Sequence, residues 1–257
     1  LLVFPSFTIS AAADMAKSPI GQWSQPPFLP GIISGFLDFF YPPFCLICHN
    51  MLDDARRLVC PQCWSSFESY GDFPVQIPAS LKTLQTVMVG LLGQATLDDP
   101  LNDIIRQLKY DRRAALAQGL ADRMALVLSS YPWLKHIDMI VPVPLHPSRV
   151  RSRGYNQSQL LAEHLGNMFG LPVVSKVLAR IRPTESQTRL NQEQRRKNVA
   201  GAFRVPFPEE IEGKRILLVD DVVTTGATLD ECARTLEKSG AMTVHAAAAV
   251  HFQTSLP

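Results

Sequence analysis

From about Thr86 onward, short apolar runs alternate with longer stretches in which apolar residues recur every three or four positions. Runs at Val87–Leu92, Ile137–Val141, 173–181, 216–219 and 243–250 predict strands. Between them, Leu101, Ile104, Ile105 and Leu108 fall on one helical face, and residues 112–129 predict a second helix. Asn156–Phe169 predicts a third, striped by Leu160, Leu161, Leu165 and Met168, with Asn156 as its cap and Gln159 three residues on. A fourth carries Leu229, Cys232, Ala233 and Leu236 on its stripe and meets a stop signal at Gly240. Residues 182–202 are polar and read as a long loop. Strands alternating with helices predict an α/β fold built on a parallel sheet, with ligands at the carboxyl ends of its strands.

Ahead of this domain the pattern is different. Residues 1–30 are spotted with proline (Pro5, Pro19, Pro26, Pro27, Pro30) and are expected to be loosely held. The chain begins Leu-Leu-Val-Phe, and Met15 lies close downstream, so residues 1–14 are expected to play little part in the fold. Residues 31–70 combine an apolar segment, Ile32–Tyr41, with a cysteine-bearing module. Pro74 and Pro78 mark 71–85 as a linker, and 86–252 is the main domain.

One segment carries candidate chemistry. In Ile216-Leu-Leu-Val-Asp-Asp-Val-Val-Thr-Thr-Gly-Ala-Thr228, a buried strand ends in two carboxylates, Asp220 and Asp221, and a hydroxyl- and glycine-rich turn opens a helix. Such a turn aims backbone N–H groups and a helix dipole at an entering anion. Thr224, Thr225 and Thr228 add hydroxyl donors, and Gly226 lets the backbone approach closely. The carboxylates repel a phosphate but accept hydrogen bonds from a sugar diol one ribose-length away. Phosphate at one end and cis-hydroxyls at the other describe a ribose 5-phosphate. The reading requires open acids; acids turned inward and salt-bridged, or a turn filled by side chains, would overturn it.

Cys45-Leu-Ile-Cys48 and Cys60-Pro-Gln-Cys63 are two Cys-x-x-Cys pairs separated by eleven residues. Four thiolates so spaced suit a tetrahedral Zn²⁺ with no open position, hence a structural site. Disulfides would need an oxidising compartment, and a redox Cys-x-x-Cys would be expected singly beside a strand–helix unit. His49 is an alternative ligand beside Cys48, and Cys232 is expected in the core.

Composition adds less. With 46% apolar and 19% charged residues the chain is globular rather than disordered. The net charge of +2 hides an asymmetry: Leu145–Arg204 holds eleven Lys/Arg against three Asp/Glu. A basic middle suits a pyrophosphate-bearing ligand or a nucleic acid, or is simply a solvated face. No run of eighteen apolar residues predicts a membrane span, and a cytoplasmic location is expected.

Two further blocks bring in a family. They are Val141-Pro-Val-Pro-Leu-His-Pro-Ser-Arg-Val-Arg-Ser-Arg-Gly-Tyr-Asn-Gln157, and Arg182-x-Thr184-x-x-Gln187-x-x-Leu190 continuing to Arg195-x-x-Asn198-Val-x-Gly201-x-Phe203. With the four cysteines and the 216–228 segment, they make residues 32–252 resemble the ComF family (the ComFC/GntX type). The chain departs from that family's pattern at Gly93-Gln94-Ala95-Thr96-Leu97 and at Lys109-Tyr110-Asp111-Arg112. The resemblance implies a type I phosphoribosyltransferase-like domain behind a small four-cysteine zinc ribbon. It implies that Asp220 and Asp221 hold ribose hydroxyls of phosphoribosyl pyrophosphate (PRPP), while Thr224, Thr225, Gly226, Ala227 and Thr228 cradle the 5-phosphate. Mg²⁺ would accompany the pyrophosphate. Arg149, Arg151 and Arg153, or Arg182 and Arg189 in the 182–202 hood, are candidates to neutralise it, and Lys109 is within the same choice. It also implies a link to competence, or uptake and use of external DNA. The expected activity is transfer of the ribose phosphate to an unidentified acceptor. The alternative is a non-catalytic PRPP sensor that binds single-stranded DNA, a DNA-translocating helicase or a recombination mediator.

Overall fold

The computed structural model describes residues 43–54, 57–67, 86–88, 94–95, 99–183 and 192–252. The expectations for 1–42 and 71–85, and for Arg189, lie outside these residues.

The sheet is parallel, as the alternating pattern predicts. Strands β1 (Thr86–Met88), β2 (Gln94–Ala95), β3 (Met139–Pro142), β6 (Arg215–Val223) and β7 (Thr243–Phe252) form it in the order β1-β7-β6-β3, with β2 also pairing with β7. Central β6 is buried on both faces, which is why it reads as an unbroken apolar run. Its pleat sends Leu217 and Val219 into one core and Ile216 and Leu218 into the other. The strand does not stop before the acids, as the apolar run alone predicts; it continues through Asp220 and Asp221 to Val223.

The first core contains α2 (Pro100–Tyr110), α3 (Leu116–Leu128) and α5 (Gln157–Phe169). The predicted face of α2, Leu101, Ile104, Ile105 and Leu108, is buried throughout. Asp99 caps α2, accepting from the Leu101 N–H at 2.8 Å. Asn156 caps α5 through the Ser158 N–H at 3.2 Å. Gln159 does not complete a capping box with it, because its side chain turns to Glu163 instead, at 2.8 Å. The second core lies under α7 (Ala227–Lys238), whose stripe of Leu229, Cys232, Ala233 and Leu236 is buried. Gly240, at φ +106, ends it as the stop signal predicts.

Three elements differ from expectation. Residues 173–181 are not one strand: Val173 makes a lone bridge to Ile140, and only β4 (Ala179–Arg180) is extended, pairing antiparallel with β5 (Phe203–Arg204). Val177 and Leu178 supply the apolar signal from the core without strand pairing. The polar stretch 182–202 contains a helix, α6 (Gln192–Val199). A short helix, α4 (Pro147–Arg153), follows β3, started by Pro147 under a His146 cap and ended by Gly154 at φ +89.

The cysteine module packs on the main domain. Its helix α1 (Pro61–Ser66) places Trp64 over α3 at Gly119, where an added Cβ would lie 2.4 Å from the indole. Arg123 stacks over the same ring at 5.8 Å. Gly119→Ala therefore sets two effects against each other. Helix propensity favours Ala by about 1 kcal/mol, but overpacking costs about 1–3 kcal/mol. The contact is with a buried ring and cannot relax cheaply, so we expect a net loss of about 1 kcal/mol, read as a lower thermal midpoint. A higher midpoint would show that Trp64 does not rest on α3.

Candidate functional site

The carboxyl ends of β6, β3 and β7 converge with the last turn of α2. Asp220 Oδ1 accepts from the Ser158 hydroxyl at 2.8 Å and from the Asp221 N–H at 2.9 Å. Asp221 Oδ2 meets Lys109 Nζ at 2.9 Å. Both acids are buried, 9% and 8% exposed. Neighbours on a strand face opposite ways, so the two carboxylates meet different partners. The open pair that the sequence reading requires is thus not what the structure holds: both acids are turned inward and one is salt-bridged.

Burial, followed by the charge of Asp221, raises the Asp220 pKa from 3.8 to about 7, against the hydrogen bonds from Ser158 and the Asp221 amide and the charge of Lys109. The consequence for stability has a definite sign. Below the unfolded value of 3.8 the acid is protonated in both states and its contribution is fully present. As pH rises toward about 7 the unfolded chain releases a proton that the native state keeps, so stability falls, and it levels off above that. Asp220→Asn is expected to remove this slope. Denaturant unfolding at pH 5 and pH 8 checks it: parallel wild-type and variant curves would refute the shift.

Beyond the acids, Thr224, Thr225 and Gly226 form a turn and Ala227 opens α7. Gly226, at φ +74, holds the left-handed conformation that only glycine adopts freely. The Thr225 hydroxyl is buried without a hydrogen-bond partner in the protein. Thr224 is fastened from behind, its carbonyl 3.2 Å from His251 Nε2 on β7. Thr228 is half-buried on the first turn of the helix. A glycine-bearing turn, a buried unpartnered hydroxyl and the N-terminus of a twelve-residue helix form an arrangement suited to an anion.

The candidate arginines divide. Arg149 is half-buried, and its charge bears on Arg180. Arg151 is exposed. Arg153 donates to Gln157 Oε1 at 3.0 Å and stacks over Tyr110 at 5.2 Å. Arg182 donates to the carbonyls of Asn198 and Ala200, both at 2.9 Å, fastening the end of α6 rather than facing the turn. On α7, buried Glu231 accepts from the Gly201 N–H at 2.7 Å and pairs with Arg234. The root of the hood is thereby tied to the helix that opens at the phosphate-type turn.

In the cysteine module, the sulfurs of Cys45, Cys48, Cys60 and Cys63 all lie within 4.8 Å of one another, with Cys48 and Cys60 3.7 Å apart. A tetrahedron with Zn–S of about 2.3 Å has edges of about 3.8 Å, so the four fit zinc as they stand. The Cys60 N–H donates to Cys45 Sγ at 3.3 Å and the Cys63 N–H to Cys60 Sγ at 3.4 Å, the amide support that thiolates need. None of the five cysteines is in a disulfide, and Cys232 is fully buried as expected. His49, at φ +57, is outside the cluster.

The chain is 38% identical over 207 residues to the DNA utilization protein YhgH of Salmonella typhi, covering 78% of this chain and 86% of that protein. It is 34% identical to YhgH of Escherichia coli (strain K12) over the same shares. To competence protein F of Haemophilus influenzae it is 34% identical over 146 residues, 55% of this chain and 64% of that one. The chain belongs to the ComF family. Residues 135–254 match the phosphoribosyl transferase domain family and 36–72 the double zinc ribbon domain family. The first match encloses β3 through β7 and the turn between β6 and α7; the second encloses all four clustered cysteines.

Three groups in this ComF chain escape the sequence reading. Ser158 carries no signal beyond following a capping Asn, yet it holds Asp220. Arg180 lies on a two-residue strand, stacked over Phe203 at 5.4 Å; burial, then the charge of Arg149, lower its pKa, while Asp220 raises it. His251 lies beyond the predicted end of the last strand. Tyr155, inside a block the sequence does single out, donates to the Leu108 carbonyl at 2.6 Å and ties the α4–α5 segment to the end of α2. Among the described residues no helix is long and apolar enough to cross a membrane.

Proposed function

We propose that this ComF chain binds PRPP with Mg²⁺, the 5-phosphate in the 224–228 turn and the ribose hydroxyls at Asp220 and Asp221. The observation that carries the reading is the Thr225 hydroxyl, buried and unpartnered in a glycine-bearing turn at the mouth of α7. A phosphate would accept from that hydroxyl and from the backbone N–H groups that open the helix. The acids weigh the other way, since Lys109 already occupies Asp221 Oδ2 and a diol that binds that oxygen must displace it. Mg²⁺ would be held mainly by pyrophosphate and ribose oxygens, with few protein ligands.

Loss of pyrophosphate from PRPP has an oxocarbenium-like transition state, as glycoside cleavage does, and needs positioning and charge neutralisation more than acid–base machinery. Lys109 and Arg180, whose charges interact with Asp220, and Arg149 beside Arg180 are the cations suited to that neutralisation. The names of the relatives, DNA utilization protein and competence protein, support a role in DNA utilization or competence; single-stranded DNA or a DNA-translocating helicase as partner follows only from the ComF resemblance. Calorimetric titration with PRPP and Mg²⁺ tests the binding: one saturable site is expected, and no heat of binding would refute it. Pyrophosphate release across a panel of nucleobases and amines then separates a transferase from a sensor.

A further inference from the structure

The pair Lys109–Asp221 joins opposite charges at 2.9 Å with side chains only 20% and 11% exposed. Each partner matches a different part of a sugar phosphate. The carboxylate accepts from hydroxyls; the ammonium neutralises phosphoryl oxygens. A ligand that supplies only the diol and takes Asp221 Oδ2 breaks the 2.9 Å contact and leaves a half-buried ammonium less well compensated, which is costly. A ligand that supplies a diol and a pyrophosphate satisfies both at once.

We propose that Lys109 is a specificity-determining residue: its ion pair with Asp221 is exchanged on binding, which favours a ribose phosphate bearing a pyrophosphate over one without it. This rests on the PRPP reading above and deepens it by naming what the site rejects. The surroundings fit an exchange that leaves the frame intact. Lys109 is in the last turn of α2, and that turn is held independently by the Tyr155 hydroxyl on the Leu108 carbonyl at 2.6 Å and by Arg153 over Tyr110 at 5.2 Å. Asp220 has a partner of its own, Ser158, at 2.8 Å. The charges that face Asp221 from packed elements are therefore Lys109 and Asp220, and only the first is a cation paired to it. Discrimination of this kind is a difference between two affinities, set as much by the unpaired charge in the poor complex as by contacts in the good one.

The test uses the full chain at pH 8 with Mg²⁺ and three probes: PRPP, ribose 5-phosphate and inorganic pyrophosphate. The wild type is expected to bind PRPP at least about tenfold tighter than ribose 5-phosphate. Lys109→Gln should shrink that ratio about tenfold, weakening PRPP while tightening ribose 5-phosphate. An unchanged ratio overturns the proposal. Asp221→Asn decides independently if Lys109→Gln fails to fold. It removes the ammonium's counter-charge and turns one of the two acceptor oxygens into a donor, so pyrophosphate should tighten about tenfold while ribose 5-phosphate weakens. If both tighten together, the effect is only reduced repulsion and the exchange is refuted. A wild type that binds none of the three probes rejects the PRPP reading itself, an outcome distinct from equal binding of PRPP and ribose 5-phosphate, which rejects the exchange alone.

Discussion

Stripping zinc from the protein, by a strong chelator or by Cys45→Ser/Cys60→Ser, is expected to release about one metal ion per chain and to detach residues 43–67 from α3. The module has little else to hold it. Among the described residues its buried apolar side chains are few: Leu52, Val59, Trp64 and Phe67 beside the cysteines Cys45 and Cys60. An assembly that small cannot offset the conformational entropy of ordering its own chain, whereas structural zinc contributes on the order of 10–16 kcal/mol. Without the ion, four sulfurs within 4.8 Å would also repel as they ionise. The second core holds no ribbon side chain, and in the first the sheet is covered by α2, α3 and α5 besides the ribbon. Two signals should therefore separate. Limited proteolysis should cut within 43–67 and Trp64 should become exposed, while far-UV circular dichroism changes little. Metal analysis showing a zinc-free chain whose module still resists protease would contradict the assignment.

Much of this is readable in the sequence where one residue pattern has one physical solution. The run at 216–219 lies between two helical layers, so both faces of the strand are apolar and its type is unambiguous. The cysteine spacing specifies its tetrahedron because short Cys-x-x-Cys turns leave the four sulfurs little freedom. Gly226 and Gly240 stand where left-handed backbone is required, and both have it. The failures share a cause: the deciding partner is distant in the chain. Helix α6, Gln-Glu-Gln-Arg-Arg-Lys-Asn-Val, has no apolar stripe. It is supported by Arg182 on its terminal carbonyls and by the docking of Val199 in the second core. The inward turn of the acids depends on Ser158 and Lys109, each far away in sequence and ordinary in its local context. A motif specifies which groups are present; their protonation and pairing belong to the tertiary structure.

Asp220→Ala/Asp221→Ala is expected to weaken Mg²⁺–PRPP binding by at least about tenfold. Hydrogen bonds to a charged acceptor contribute about 1.5–3 kcal/mol each, so two lost acceptors cost about 3–6 kcal/mol. Freeing Lys109 for the pyrophosphate returns about 1.4 kcal/mol, a factor of ten, which leaves the net effect large. The pH dependence identifies which acid acts. Asp220 titrates at about 7 in the ligand-free protein, so lowering the pH through that value protonates it and converts an acceptor into a donor. A diol that needs an acceptor then binds less well. PRPP affinity in the wild type should therefore fall as pH drops from 8 to 6. In Asp220→Ala the same pH change should have little effect beyond that of the ligand's own phosphates, which a parallel titration of ribose 5-phosphate measures. If the double variant binds PRPP as the wild type does, the hydrogen bond accepted from Ser158 and the ion pair with Lys109 are the acids' whole role. The sugar would then have to be held elsewhere, and the 224–228 turn would be an anion site without a ribose partner.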